Sequence, residues 1–342
     1  MGKRIPRLVA GIAACLLITG SMVPVSAAAP STSPHPPRII IDSDMALWWD
    51  DVEATAMANA LQNLGKVEVL GVVSDVKSKE SAAALDVINT YYGNGDIPVG
   101  ATLGTAQDYF GNAYTTYLAA NFPHKLKDGT KAPEAVALYR ELLSHAPDHS
   151  VTVISIGGLT NLAALLTSPA GHGSPLGGRD LVAQKVTQLV IMAGQFPVAS
   201  RAWTNELIDT AASKYVVNGG WPTKMIWVDA NIGFTFFPGA TVCAAHTGGP
   251  VRATYDFLFG CGNPVGDASW DPIAIYYAVF GLGNGVLSLT GAGGAANADF
   301  FAAISWKPNP ARPDDRYIVV NDYPTLTAEV NELLSYVPTH RK

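Results

Sequence analysis

Asp42, Asp44, Asp50 and Asp51 fall within ten residues, in the stretch Ile39-Ile40-Ile41-Asp42-Ser43-Asp44-Met45-Ala46-Leu47-Trp48-Trp49-Asp50-Asp51. Four carboxylates at this density repel one another, and a hard cation bound through oxygen is the usual remedy. The alternative is a solvated acidic turn, because carboxylates also suit the N-terminal end of a helix dipole. An apolar β-branched run that stops at Asp-x-Asp reads as a buried parallel strand delivering carboxylates to a loop. From Val52 to Leu64, Ala, Met and Leu recur at helical spacing, so Asp50 and Asp51 would open a helix. The chemistry suggested is a metal site at a strand's carboxyl end, where open α/β sheets keep their ligands.

Three later segments also end an apolar run on polar residues. Gly157-Gly158-Leu159-Thr160-Asn161-Leu162-Ala163 follows the apolar run Val151 to Ile156. Its glycines would let backbone approach a ligand, and Thr160-Asn161 could cap a helix. In Ser269-Trp270-Asp271-Pro272 an Asp precedes a Pro-started helix, which N-capping alone would explain. Trp203-Thr204-Asn205-Glu206-Leu207-Ile208-Asp209 reads as a polar, aromatic turn before a helix at Ala211.

The elements that must position these residues alternate along the chain. Strands are expected at Ile39–Ile41, Val67–Val73, Val151–Ile156, Gln188–Met192, Met225–Val228 and Tyr317–Val320. Helices are expected at Val52–Leu64, Ser81–Tyr92, Tyr114–Phe122, Pro133–Ser144, Asn161–Leu166, Ala211–Val217, Pro272–Val279 and Thr325–Leu334, the fourth with Pro133 in its first turn. Gly281 to Asn297 reads as loose. This alternation predicts an α/β fold, a mainly parallel sheet with helices on both faces, over residues 38–342.

The N-terminus is a separate matter. Lys3, Arg4 and Arg7 precede the apolar run Leu8–Ile18, and Val25-Ser26-Ala27 resembles a cleavage site. Residues 1–27 therefore read as a signal peptide, too short to span a membrane, and 28–37 as a flexible Ala/Pro/Ser linker. A secreted protein, extracellular or periplasmic, follows. Ile12-Ala13-Ala14-Cys15 offers a second reading, a lipid anchor on Cys15. Without the leader, 19 Lys and Arg face 28 acidic residues, a formal −9. With no basic cluster, nucleic acid is not an expected partner. Cys243 and Cys261 remain, and an exported chain makes a disulfide between them plausible, with two buried thiols as the alternative. No Gly-x-Ser-x-Gly elbow or Walker loop is present, and His124, His145, His149, His172 and His246 lack metal-ligand spacing and read as surface residues.

Taken in order, the aspartate loop, Gly157 to Ala163, Asn205 to Ala212 and Asp271-Pro272 resemble the nucleoside hydrolase family of calcium-dependent N-ribohydrolases. The resemblance runs from about Arg38 to about Leu334. It implies Ca2+ held by Asp44, Asp51, Asp271 and the Thr160 carbonyl, with a nucleoside as substrate. Asp44 would also be general base toward water, Asp50 and Asn205 would bind the sugar hydroxyls, and Asp42 would support Asp44 from behind. The family often forms dimers or tetramers, so a homo-oligomer is compatible with it.

Three positions depart from the family pattern. Five residues, Met45 to Trp49, separate Asp44 from Asp50 where three are common. Trp270 stands where many members place a His that protonates the leaving base, and Trp203 stands where the family has Glu. Trp48, Trp49, Trp203 and Trp270 could form an aromatic wall, with Trp270 against the base, though each could equally be core packing. Two other readings remain open: a nucleoside- or sugar-binding pseudoenzyme on this fold, and a haloacid-dehalogenase-like phosphatase, which also begins with a strand running into Asp-x-Asp.

Overall fold

The computed structural model describes residues 35–46, 48–102, 113–262 and 266–339. The leader expected over 1–27, Cys15 and most of the linker over 28–37 lie outside them.

Strands and helices alternate through the first two thirds: β1 (Arg38–Ser43), α1 (Asp50–Asn63), β2 (Glu68–Ser74), α2 (Lys79–Tyr91), β3 (Val99–Ala101), α3 (Ala113–Asn121), α4 (Ala135–His145), β4 (Val151–Ser155), α5 (Thr160–Thr167), α6 (Gly178–Lys185), β5 (Val186–Met192), α7 (Thr204–Ile208), α8 (Thr210–Tyr215) and β6 (Lys224–Val228). Four helices follow, α9 (Ala230–Gly233), α10 (Val242–Ala245), α11 (Pro250–Phe259) and α12 (Asp271–Phe280). The chain closes with β7 (Leu287–Thr290), β8 (Gly294–Ala298), β9 (Ile304–Pro308), β10 (Arg316–Val320) and α13 (Tyr323–Leu334).

Eight strands form one sheet in the order β3-β2-β1-β4-β5-β6-β10-β7, parallel except where β7 runs against β10, while β8 and β9 pair separately. The sheet is covered on both faces, and the strand residues divide between two cores. Ile39 and Ile41 join Ile154, Val190 and Ile226 on one face. Ile40 joins Val153, Leu189, Ile191 and Trp227 on the other. Burial on both faces is why these strands read as continuous apolar runs rather than alternating ones. The order reverses between β1 and β4, which leaves a crevice beyond their carboxyl ends. Within that register Asp42 lies beside Ser155, and Ser43 beside Ser74.

Several expectations need correction. The stretch Gly281–Asn297 is not loose, since β7 and most of β8 lie in it. β7 pairs Thr290 with Tyr317, and Gly291 and Gly293 take positive φ in the turn that follows. Pro133 precedes α4 rather than entering it; Glu134 is the cap, its Oε2 accepting from the Ala137 N–H at 2.8 Å. The short strand β3 and the brief helices α6, α9 and α10 were not anticipated, and neither was α11, although Pro250 starts it and Gly260 ends it. His246 is fully buried, with its ring bonded to the Tyr91 hydroxyl at 3.1 Å and the Leu334 carbonyl at 2.5 Å, and His124 is buried as well. Cys243 and Cys261 form a disulfide that ties α10 to the turn after α11. Among the described residues no helix is long and apolar enough to cross a membrane.

Candidate active site

β1 ends by carrying Asp42 into the crevice, fully buried. The Tyr139 hydroxyl donates to one oxygen at 2.9 Å and the Asn161 amide to the other at 3.0 Å, while that amide also reaches the Ser74 carbonyl at 3.2 Å. One carboxylate thereby ties β1 to β2, α4 and α5. Asn161 does not cap α5, as the sequence suggested; its side chain is committed to this network, and Leu159 occupies the cap position. Asp44 lies one residue beyond β1, pressed against the turn between β4 and α5. A methyl on Gly157 would come within 2.8 Å of the Asp44 Cβ, so only glycine lets these backbones approach.

α1 begins at Asp50, which puts three carboxylates, Asp50, Asp51 and Glu53, in its first turn. The Ser43 hydroxyl donates to Asp51 Oδ1 at 2.6 Å and accepts from the Met45 N–H at 3.1 Å. The Trp270 N–H donates to Asp50 Oδ2 at 3.2 Å. Asp271 is the first residue of α12 rather than its cap, a role that falls to Trp270, so its carboxylate is spared for the site. Asp50, Asp51 and Asp271 each bring an oxygen within 4.8 Å of the other two, and all three are buried.

The electrostatics follow from crowding without counter-charge. Among the described residues no ion pair neutralises these carboxylates. Burial pushes Asp42 up to about 7 against the lowering by Asn161 and Tyr139. Burial and then the charge of Asp50 push Asp44 up to about 7, and burial carries Asp50 to about 6. Asp51 and Asp271 rise well above the carboxylate range, first through burial and then through their acidic neighbours. Asp51 Oδ2 is buried with no hydrogen-bond partner. Buried, uncompensated carboxylate oxygens are what a hard oxygen-seeking cation needs, so the residues fit such an ion.

The aspartates floor a cleft of about 370 Å³ whose walls are aromatic. Trp48, Trp49, Trp203, Phe234 and Trp270 line it together with Asp44, Asp50 and Asp271. Phe234 meets Trp270 edge-on at 5.4 Å and Trp203 at 5.7 Å, while Trp48 and Trp49 meet edge-on at 5.6 Å. The Trp270 indole N–H donates to the Ala230 carbonyl at 2.9 Å, and its ring packs where any side chain on Gly233 would clash. The segment read as a turn at Trp203 is helix α7, held by Glu206, whose two oxygens accept from the Gly194 N–H at 2.6 Å and the Trp203 N–H at 2.7 Å. Asn205 projects from that helix into the cleft. Its amide donates to the carbonyls of Ile156 at 3.1 Å and Met192 at 2.9 Å, leaving its side-chain oxygen uncommitted.

The residues singled out in the sequence thus divide. Asp44, Asp50, Asn205, Trp270 and Asp271 line the one cleft, Asp51 completes the carboxylate triad, and Asp42 stands behind. The tightest carboxylate group contains Asp50 rather than Asp44. Thr160 opens α5, its hydroxyl donating to Asp209 at 3.5 Å, and is not among the residues lining the cleft.

Four contributors were not foreseen. Glu53, one turn into α1, is buried and accepts from the Ser269 hydroxyl at 2.5 Å and from Tyr255, anchoring the segment that carries Asp271. Asp75 follows β2, fully buried, its carboxyl pushed well up first by burial and then by the charges of Asp42, Asp44 and Asp51. Asp75 carries the same signal as Asp42, a β-branched run ending on Asp. The acid at Glu53, three residues after Asp50 and just before the Ala- and Met-rich run of α1, was a second legible sign. Phe234 and Arg201 carried none.

Comparison with known proteins agrees with this architecture. The family model described as inosine-uridine preferring nucleoside hydrolase matches residues 39–280. The inosine-uridine preferring nucleoside hydrolase of Crithidia fasciculata is 25% identical over 206 residues, 57% of this chain and 61% of that relative, so the match spans less than two thirds of its length. The solved structure of a purine-preferring ribonucleoside hydrolase from Gardnerella vaginalis superposes with a TM-score of 0.63 at 14% identity, covering 87% of this chain and 98% of that one. An inosine-uridine preferring nucleoside hydrolase from Bacillus anthracis gives 0.63 at 14% identity, covering 87% and 99%. The effector protein XOO4466 gives 0.64 at 17%, covering 90% and 95%. At these identities the solved structures show a shared fold.

Proposed function

Because the chain belongs to the inosine-uridine preferring nucleoside hydrolase family, we propose that it hydrolyses the N-glycosidic bond of ribonucleosides or related N-glycosides with the help of a bound calcium ion. The observation that carries this reading is the buried triad Asp50, Asp51 and Asp271 at the floor of an aromatic-walled cleft, with Asp51 Oδ2 unpartnered. Asp51 and Asp271 would hold the ion, with Asp44 and the Thr160 carbonyl completing the protein's share. The bound ion would lower the pKa of water and hold the sugar diol.

The rest of the work falls to the chain. Asp44, at the cleft wall, is placed to take the proton from the attacking water. Asp50 and the free oxygen of Asn205 are acceptors for sugar hydroxyls, fixing the anomeric carbon over the floor. Neighbouring carboxylates favour the oxocarbenium character of the transition state. Asp42, doubly hydrogen-bonded, keeps the end of β1 rigid so that Asp44 does not wander. The aromatic walls would stack the base. The charged, apolar and small-residue pattern of residues 1–27 supports an exported protein as the setting for this activity.

A second reading is a binding protein on the same fold. It is favoured by the commitment of the Trp270 indole to Ala230 and by the lack of any His among the described residues lining the cleft. The test is incubation of the purified protein with a nucleoside panel and calcium, reading free base and reducing sugar. Release of both from at least one nucleoside, abolished in Asp44→Asn, supports hydrolysis. Tight nucleoside binding with no release over hours selects the binding protein.

A further inference from the structure

The base end of the cleft poses a chemical problem. A leaving base carries away the electron pair of the C1′–N bond, and among the described residues no acid side chain stands free at this end to protonate it. Glu206 lines the cleft, yet both of its oxygens accept backbone N–H groups. Trp270 gives its only side-chain donor to Ala230. Arg201 is different. It is the single cationic side chain among the described residues lining the cleft, and its guanidinium sits 4.1 Å from the centre of the Trp203 ring. It has no ion pair or hydrogen bond to another described residue, so the stacked arrangement holds its charge at the wall without neutralising it. A guanidinium is a fixed positive charge that stacks on aromatic faces and presents a planar fork of donors.

We propose that Arg201 determines which bases can leave, by receiving the negative charge that develops on the departing ring. This rests on the hydrolytic reading above. In the step, the C1′–N bond breaks with its electron pair going to the base nitrogen, and the oxygen of water bonds to C1′. The water's proton goes to Asp44, and the base departs as an anion against Arg201, taking its proton from solvent afterwards. The favoured substrate class is therefore N-ribosides of bases that bear ring carbonyls and leave as stabilised anions. Ribosides with a leaving group that is already a good anion need Arg201 least.

The test compares wild type, Arg201→Ala and Arg201→Lys, with calcium, on uridine, inosine and p-nitrophenyl riboside. Arg201→Ala should lose roughly ten- to a hundredfold in kcat on the two nucleosides, the scale of one charged contact, and less than about threefold on the nitrophenyl compound. Arg201→Lys should recover most of the loss. Equal losses on all three substrates would reduce Arg201 to propping Trp203 and overturn the proposal, as would no loss on any. A second measurement keeps the outcome separate from the hydrolytic reading: quenching of tryptophan fluorescence by urate, an anionic base, and by hypoxanthine, a neutral one. Wild type should bind urate the more tightly, and Arg201→Ala should lose that preference while keeping its hypoxanthine affinity. If wild type cleaves nothing, the hydrolytic reading fails and this binding result alone decides on Arg201, an absent or unchanged urate preference counting against it.

Discussion

The floor and the wall of the cleft are built on opposite principles. Each floor carboxylate lies at the end of a regular element and most are pinned by named hydrogen bonds: Asp42 by Tyr139 and Asn161, Asp51 by Ser43, Asp50 by the Trp270 amide. The wall is held mainly by ring contacts, with one hydrogen bond from the Trp270 indole to Ala230, and part of it is open to solvent, with Trp48 40% and Phe234 48% exposed. The floor spends stability, crowding charges where folding would rather have none, and the wall spends little. The comparison suggests that the reaction type is fixed rigidly at the floor and that substrate choice is adjustable at the wall.

The sharpest way to break this contrast is at Asp44. Asp44→Asn should lower kcat by roughly a hundred- to ten-thousandfold, the range for removing a general base, while KM moves little. The same change removes one charge beside Asp50 and Asp51, so the calcium-free variant should melt higher than wild type at neutral pH. A lower melting temperature would mean that the floor carboxylates stabilise rather than strain the fold.

Next in size is the close approach behind Asp44. Gly157→Ala puts a methyl 2.8 Å from the Asp44 Cβ and against Asp75, and should cost about 1–3 kcal/mol in denaturant unfolding. Activity should fall with it, because Asp44 must shift. Unchanged stability and turnover would show that the β4–α5 turn is softer than its packing implies.

At the wall the effects should be smaller and of a different kind. Trp48→Ala should raise KM by about two- to tenfold, the worth of one aromatic contact, leaving kcat and the melting temperature near wild type. A fall in kcat equal to that of a floor variant would erase the division of labour.

The floor also sets how stability varies with pH. Asp42, Asp44 and Asp50 sit at about 7, 7 and 6 in the fold against an ordinary 3.8, so between those values the folded protein binds more protons than the unfolded chain. Their contribution is full below pH 4 and is lost as pH rises towards 7. Chelator-treated protein should therefore melt lower at pH 7.5 than at pH 5 by this contribution. Calcium, which competes for the deprotonated carboxylates, should reduce or reverse that difference.

The same contrast explains what the sequence made legible. The floor is written locally, because a buried parallel strand reads as a β-branched run and a functional strand end reads as its abrupt polar stop. Asp42, Asp44, Asp50 and Asp51 share one such stop and Gly157–Asn161 mark another, while Asp271 is marked instead by the Pro that starts its helix. Even the overlooked Asp75 obeys the rule. The wall is written more diffusely: Trp48, Trp49, Trp203 and Trp270 stand beside the polar motifs and could be named from the sequence, whereas Phe234 comes from a separate segment and its place means nothing until the fold brings these segments to one edge. Helix caps were misread for a related reason. Asn161 has the side chain of a good cap, but Asp42 and the Ser74 carbonyl claim its amide first, and Asp271 falls one residue inside its helix with Trp270 at the cap. Short elements such as β3 and α6 owe their conformation to neighbours rather than to periodicity.

On the proposed function, the buried carboxylates work as a calcium-dependent hydrolytic centre. The most direct test is to strip the purified protein with a chelator, add back calcium, and follow release of free base from uridine and inosine. The expected result is no release from the stripped protein, recovery on adding calcium, and no recovery in Asp44→Asn. Release that persists without calcium, or that survives in Asp44→Asn, would contradict the assignment of the floor.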